Sequence, residues 1–333
     1  MGVAIRDILL DNKKTVGWEA LQGVAAVDAN NALYQFLSII RQPDGTPLMD
    51  SKGRITSHLS GIFFRSLNFI EKGINPVYIF DGTPPPLKTE TIEQRRETRR
   101  EAGVRWREAL SLGDTEEAYR QARSSSRIDD FVLESVKELL TFMGIPWVEA
   151  PSEGEAQAAC MVDQGAASYA VSQDYDALLF GAAVLVRNLT ISGRKKVRGR
   201  SVVVAPERIV LADVLKGLSI TREQLIDIGI LVGTDFNPGA RGIGPKTALK
   251  LVQKGEADAA LQKYLPDLDP EPIRAFFLHP PVTSEYELAW NPPDAEGIYS
   301  MLVERHDFSE GRVMTALAKL RKSSGQKTLD RWF

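Results

Sequence analysis

At 333 residues, with 43% of positions hydrophobic and 26% charged, the chain has a globular composition and is long enough for one large domain or two modest ones. A net charge of −3 and a pI near 5.8 exclude a uniformly basic nucleic-acid binder, though not the local basic patches that phosphate contacts need. Cys160 is the only cysteine, which excludes an intrachain disulfide and argues against a thiolate zinc site.

The opening "MGVAIRDILLDNKK" has no cationic stretch followed by an apolar core, so no signal peptide is expected. No apolar run approaches the roughly 20 residues that span a bilayer. A cytoplasmic protein without membrane association is the expectation. The first strand is predicted in "GVAAVDANN", ending at Asp28, and "NALYQFLSII" reads as a helix behind it. "ITSHLSGIFFRSLNFIEKG" reads as a second helix closing on Gly73. "PVYIFDG" is the next strand and runs into Asp81.

From Pro84 to about Arg127 the chain is dense in charge and poor in aliphatics. It should be helical, with little core-facing stripe, and stand away from the body. "FVLESVKELLTFMGIPWVEAP" restores a buried helix and then a strand. "SYAVSQDYD" is a strand ending at Asp174; "AAVLVRNL" and "SVVVAP" are further strands, with the basic run "GRKKVRGR" as a surface loop between them. After Pro206 the pattern is mostly helical. Near-continuous apolar strands alternating with helices predict an α/β fold, with a mostly parallel central sheet flanked by helices.

Parallel sheets bind ligands beyond the carboxyl ends of their strands, so Asp28, Asp81 and Asp174 should converge although far apart in sequence. Asp176 follows in "QDYD", and Glu153 and Glu155 lie in "SEGEAQA", where Ser152 and Glu155 have the spacing of a capping box. Each acid alone reads more simply as a turn or cap. Together they would repel one another unless cations intervene. Oxygen-only ligation points to Mg²⁺, with Mn²⁺ able to substitute, and paired ions recur in phosphodiester hydrolysis.

"LVGTDFNPGARGIGPKTALKLV" places Gly242, Gly244 and Lys246 between two helical patterns, as in a helix-hairpin-helix that captures phosphate. Asp235 precedes it and is a candidate seventh acid. Lys88 and Arg95, seven apart and on one face if helical, are candidate phosphate ligands. At the chain end "QKTLDRWF" groups Gln326, Leu329, Trp332 and Phe333 as an apolar plug with a glutamine anchor, which calls for a partner.

In the order "MGV", "DANNALYQFL", "TSHLSGIFFR", "YIFDGTPPPLK", "APSEGEAQA", "QDYDALLFG", "GTDF" and "RGIGPKTA", the chain resembles the flap endonucleases, in their archaeal form, over nearly its whole length. The resemblance implies a seven-acid site for two Mg²⁺ ions made by Asp28, Asp81, Glu153, Glu155, Asp174, Asp176 and Asp235. It implies that Lys88 and Arg95 steady the scissile phosphate and that Tyr34 stacks on a neighbouring base. It further implies a single nuclease domain over 1–325, with a helical arch at 84–130 and a helix-hairpin-helix region at 220–260 that grips duplex DNA, K⁺ being a candidate ion there. Residues 326–333 match a tail that docks on the sliding clamp.

The implied activity is cleavage of 5′ flaps in branched DNA, with 5′-3′ exonuclease activity, in replication and repair, by a monomer. An RNA-directed nuclease with a related acid-clustered core is the enzyme alternative. An aspartyl phosphatase is disfavoured because its acids belong on the first strand. A clamp-bound junction scaffold without catalysis is the non-enzymatic alternative, and the presence of every acid weighs against it.

Overall fold

The computed structural model describes residues 2–42, 45–191, 193–197 and 200–329. Its strands are β1 (Lys13–Thr15), β2 (Gly23–Asp28), β3 (Ile74–Phe80), β4 (Trp147–Glu149), β5 (Tyr169–Val171), β6 (Val184–Arg187), β7 (Gly193–Val197), β8 (Arg200–Val204) and β9 (Glu207–Val210). One seven-stranded sheet runs in the order β1-β9-β6-β5-β2-β3-β4, and β7 pairs with β8 alone. The β2–β5 and β5–β6 pairs are parallel, with Val27 opposite Val171, while β9 lies antiparallel to both β6 and β1.

Two features depart from the sequence reading. The antiparallel strands β1, at the sheet edge, and β9, beside it, were not anticipated, because "KKT" and "ERIV" are too short and too polar to show an alternating pattern. Within the basic run, Gly193–Val197 is a strand and not a loop, pairing antiparallel with Arg200–Val204.

The helices are α1 (Ala29–Ile39), α2 (Ser57–Glu71), α3 (Thr89–Ser111), α4 (Thr115–Ser124), α5 (Asp130–Phe142), α6 (Gly154–Asp163), α7 (Asp176–Leu179), α8 (Leu211–Leu218), α9 (Arg222–Val232), α10 (Pro245–Gln253), α11 (Ala257–Tyr264), α12 (Glu271–Leu278), α13 (Ala295–Tyr299) and α14 (Glu310–Leu329). The chain divides into two compact units. The first comprises Met1–Asn31, Ile79–Glu93 and Glu149–Glu285, and the second Ala32–Tyr78, Gln94–Val148 and Tyr286–Phe333.

In the first unit, Ala25, Ala26, Val27, Leu185 and Val186 are fully buried, which is why these strands read as unbroken apolar runs. Thr221 opens α9 with a complete capping box to Gln224. Phe277 on α12 packs against Phe180 and Phe236, at centroid distances of 4.8 and 5.3 Å.

In the second unit, α2 packs on α5 and α14. The charged segment does carry a buried stripe, made of alanines: Ala102 and Ala109 on α3, Ala118 and Ala122 on α4. Alanine counts weakly in a hydrophobic pattern, so the sequence reading passed over it. Asp114 caps α4 by accepting from the Glu117 N–H at 3.0 Å.

His58, fully buried on α2, sits 3.0 Å from the Ser135 hydroxyl, which donates to the Val132 carbonyl. Its Nδ1 finds no hydrogen-bond partner among the described residues. Burial, with His306 nearby, pushes its pKa down to about 3. The folded chain therefore refuses a proton that the unfolded chain accepts below about pH 6.5. Stability attributable to this group is present above that pH and is lost as pH falls toward 3. We predict that His58→Gln, which keeps a donor toward Ser135, shows a shallower loss of unfolding free energy between pH 6.5 and 4 in urea titrations; equal slopes would contradict the burial argument.

Candidate active site

All seven predicted acids belong to the first unit. Asp28 is the last residue of β2, and its Oδ1 accepts from the Asn31 N–H at 2.9 Å, which caps α1. Asp81 directly follows β3. Next to it, Gly82 donates its N–H to the Ser152 carbonyl at 2.7 Å, and a Cβ there would lie 1.9 Å from the Ala150 carbonyl oxygen. Only glycine permits that approach, which brings the "APSEGEAQA" turn against the end of β3.

The predicted Ser152–Glu155 capping box is not formed. The N-cap of α6 is Glu153, which makes no side-chain cap bond. The Ser152 hydroxyl is buried without a hydrogen-bond partner among the described residues. Asp81 serves the helix instead, its Oδ1 accepting from the Gly154 N–H at 2.8 Å. A remote carboxylate thus takes the place of the local serine at the helix start, where the dipole favours negative charge.

Beyond β5, the Ser172 hydroxyl lies 2.6 Å from Glu155 Oε1 and 3.3 Å from Asp28 Oδ2, and accepts from the Asp174 N–H at 3.1 Å. Asp176 opens α7, and its Oδ1 accepts from the Val3 N–H at 2.6 Å. The chain start is packed tightly there, since a Cβ on Gly2 would meet Asp174 Cβ at 2.6 Å. Tyr175, between the two aspartates, is buried and flanked by cations: Arg187 lies 4.1 Å and Lys13 4.9 Å from its ring centre, and both donate to its hydroxyl.

The acids repel one another. Burial, then Asp81 and Asp174, push Asp28 well above the usual carboxylate range despite the Asn31 and Ser172 hydrogen bonds. Burial, then Asp176, Asp28 and Asp174, do the same to Glu155. Asp176 is pushed to about 7 by burial and then by Asp235, against the Val3 N–H. Asp81 is exposed as a residue, yet its carboxyl is crowded by protein atoms, and with Asp235 nearby its pKa is also raised against the Gly154 N–H and Lys88.

Lys88 is the counter-charge. Its Nζ lies 2.6 Å from Glu153 Oε2 and 3.4 Å from Asp235 Oδ2. Burial would depress it, but Glu153 and Asp235 together hold its pKa above the ordinary lysine value. The pair is asymmetric: Glu153 is still pushed up, because burial and Asp81 outweigh what Lys88 returns. Among the described residues no three acidic, histidine or cysteine side chains converge closely enough to hold an ion as they stand. Asn31, Val3, Gly154, Ser172 and Lys88 each hydrogen-bond to one or more of the carboxylates.

Lys88 ends a 3-10 turn, Pro86–Lys88, and α3 begins only at Thr89. Lys88 thus immediately precedes the helix that carries Arg95, and the proline run before it delays the helix. Arg95 lies on α3 in the second unit, as does Tyr34 on α1, whose ring has the Arg99 guanidinium 4.8 Å from its centre.

In the first unit, α9 packs on α10 through a glycine-rich turn. Gly242 has φ +80°, a conformation that favours glycine, and Gly244 is the N-cap of α10 with Pro245 at its first position. A Cβ on either glycine would meet nothing within 4 Å, and Lys246 is exposed in the first turn. The turn thus presents open backbone and one cation. At the chain end, α14 runs to Leu329. Trp332 and Phe333 lie outside the described residues, as do the side chains of Gln326 and Leu329.

The sequence reading overlooked Asn31, Ser172, Tyr175 and Arg187. "DANN" and "SQDYD" did put polar residues beside predicted ligands, the signal that could have found the first two.

Residues 1–102 match the XPG N-terminal domain and residues 144–235 the XPG I-region. The chain is 64% identical to flap endonuclease 1 of Methanoculleus marisnigri over 333 residues, covering 100% of both chains. It is 53% identical to flap endonuclease 1 of Pyrococcus furiosus over 340 residues, covering 100% of this chain and 99% of the relative. The chain belongs to the flap endonuclease family. Flap endonucleases are structure-specific nucleases that hydrolyse phosphodiester bonds. The solved flap endonuclease-1 from Methanococcus jannaschii superimposes with a TM-score of 0.77 at 43% identity, covering 95% of this chain and 97% of that one. The catalytic core of Rad2, solved in complex with DNA substrate, shares the fold, with a TM-score of 0.72 at 23% identity over 96% of this chain and 100% of that one. The expected α/β class and family are thereby established, and no helix among the described residues is long and apolar enough to cross a membrane.

Proposed function

We propose that the chain cleaves 5′ flaps from branched DNA with the help of two divalent cations, Mg²⁺ with Mn²⁺ able to substitute. The observation that carries this reading is the set of mutually repelling carboxylates at the ends of β2, β3 and β5 and the start of α6, with one lysine among them. The donor set suits hard cations. Asp28, Asp81, Glu153, Glu155, Asp174, Asp176 and Asp235 offer oxygen only. Such ions, when bound, neutralise the acids and supply Lewis-acid stabilisation of charge on a phosphodiester.

The chain's own residues complete the reading. Lys88 exchanges its carboxylate partners for an equatorial oxygen of the scissile phosphate, and Arg95 steadies another. Tyr34 stacks on the base beside that phosphate, a contact worth roughly 1–3 kcal/mol. Gly242, Gly244 and Lys246 hold the duplex by its phosphates, with K⁺ as an ion at the same turn. The segment 84–130 forms the arch around the 5′ strand, and recognition is of shape and a free 5′ end, which also allows 5′-3′ exonuclease action. Gln326, Leu329, Trp332 and Phe333 dock on the sliding clamp, and the enzyme works as a cytoplasmic monomer.

The test is incubation of the protein with an end-labelled 5′-flap duplex, in Mg²⁺ and in EDTA. Incision beside the branch in Mg²⁺ alone is the expected result. Cutting in EDTA, binding without cutting, or preference for an RNA strand would each overturn the reading.

A further inference from the structure

Asn31 is the third residue of α1, where a capping box would place Glu or Gln reaching back to the N-cap. Its side chain reaches elsewhere. The amide nitrogen donates to Asp174 Oδ2 at 3.0 Å, and the amide oxygen accepts from the Gln173 N–H at 3.2 Å. Its own N–H meanwhile donates to Asp28 Oδ1 at 2.9 Å. One residue therefore grips a carboxylate at the end of β2 and another beyond the end of β5, two strands paired in parallel with Val27 opposite Val171.

The two ends of the amide are not interchangeable, because only the nitrogen can face a carboxylate and only the oxygen can face an N–H. A carboxylate at this position would set like charges face to face, and an ammonium would compete for the acids. A neutral group with one donor and one acceptor meets both demands. With Oδ2 of Asp174 engaged, the other oxygen and the side-chain torsions are held in one orientation. Ser172 fixes the same loop from the other side, through Glu155 Oε1 at 2.6 Å and the Asp174 N–H at 3.1 Å.

We infer that Asn31 is a positioning residue, holding Asp28 and Asp174 at the separation and orientation in which they bind a divalent cation. The inference rests on the reading of the acids as cation ligands. Outer partners that orient ligands typically change metal affinity about 10–100-fold when removed.

The test uses the whole chain, without DNA, titrated with Mn²⁺ by calorimetry and by electron paramagnetic resonance. Asn31→Ala should raise the half-saturating Mn²⁺ concentration by about tenfold or more, with the unfolding midpoint in EDTA little changed. On a labelled flap it should lower kcat, leave KM for DNA unchanged, and recover rate as Mg²⁺ is raised. Asn31→Leu, which keeps the shape and the backbone bond to Asp28 but neither side-chain hydrogen bond, should behave the same and covers the case in which alanine impairs folding. Parental Mn²⁺ affinity in both variants, or a lowered unfolding midpoint with no change in that affinity, would overturn the inference. If the parent itself neither binds Mn²⁺ nor cuts, the ligand reading fails first, and the two failures are told apart by that control.

Discussion

Asp176→Asn is expected to lower flap cleavage by a factor on the order of 10³, the class of effect seen when a transition-state stabiliser is removed, while binding of the flap substrate stays within a few-fold of the parent. Asp176 is 5% exposed and its Oδ1 already has a partner in the Val3 N–H, which an asparagine oxygen also satisfies. The substitution therefore removes charge and little else. In cation-free buffer a second effect follows. The Asp176 pKa, about 7 in the fold, is raised above its ordinary value, so the folded chain binds the extra proton. Stability from this group is full below about pH 4 and falls as pH rises through 7. The asparagine variant should lack that fall and unfold at a higher temperature at pH 8. Quantitative cleavage of a labelled flap, gel-shift binding and calorimetric unfolding read the three quantities. Cleavage near the parental rate would remove Asp176 from the proposed site.

Lys88→Met should move two quantities in opposite directions. Cleavage is expected to fall by roughly 10²–10³, as one cation facing the phosphate is lost. Divalent cations should bind the DNA-free variant more tightly, because the ammonium that competes for Glu153 and Asp235 is gone. A gain on the order of tenfold corresponds to about 1.4 kcal/mol, inside the ~4 kcal/mol that unit charges 4 Å apart exchange at an effective dielectric of 20. Mn²⁺ titration near pH 8, with cleavage measured in parallel, gives both readouts. Weaker Mn²⁺ binding in the variant would mean that Lys88 does not compete with the cations, and the exchange of partners proposed for it would fall.

Much of this arrangement was legible in the sequence because parallel strands advertise themselves. "GVAAVD", "PVYIFD" and "SYAVSQD" are apolar since they are buried on both faces, and each ends at or shortly before an acid. The α/β class and the placement of acids at strand ends follow from that alone. The hairpin of Gly242 and Gly244 was equally readable, since a glycine at φ +80° and a proline at the first helical position leave a strong local signature.

What stayed hidden depends on partners remote in sequence. Ser152 has the right spacing for a cap, but Asp81, 73 residues before Gly154, holds the Gly154 N–H instead. Lys88 looks like part of the following helix, yet the prolines before it confine it to a 3-10 turn. β1 and β9 are too short to show a period: β9 finds its ladder on β6, and β1 finds its ladder on β9. Asn31 reads as an ordinary early helical residue until the register of β2 against β5 puts Asp174 within its reach.

The measurement that bears most directly on the central claim is anomalous diffraction from crystals of the DNA-free protein soaked in Mn²⁺. The account predicts ion peaks bounded by oxygens of Asp28, Asp81, Glu153, Glu155, Asp174, Asp176 and Asp235, with Lys88 displaced from Glu153. A well-ordered structure at saturating Mn²⁺ with no peak among these carboxylates would contradict it.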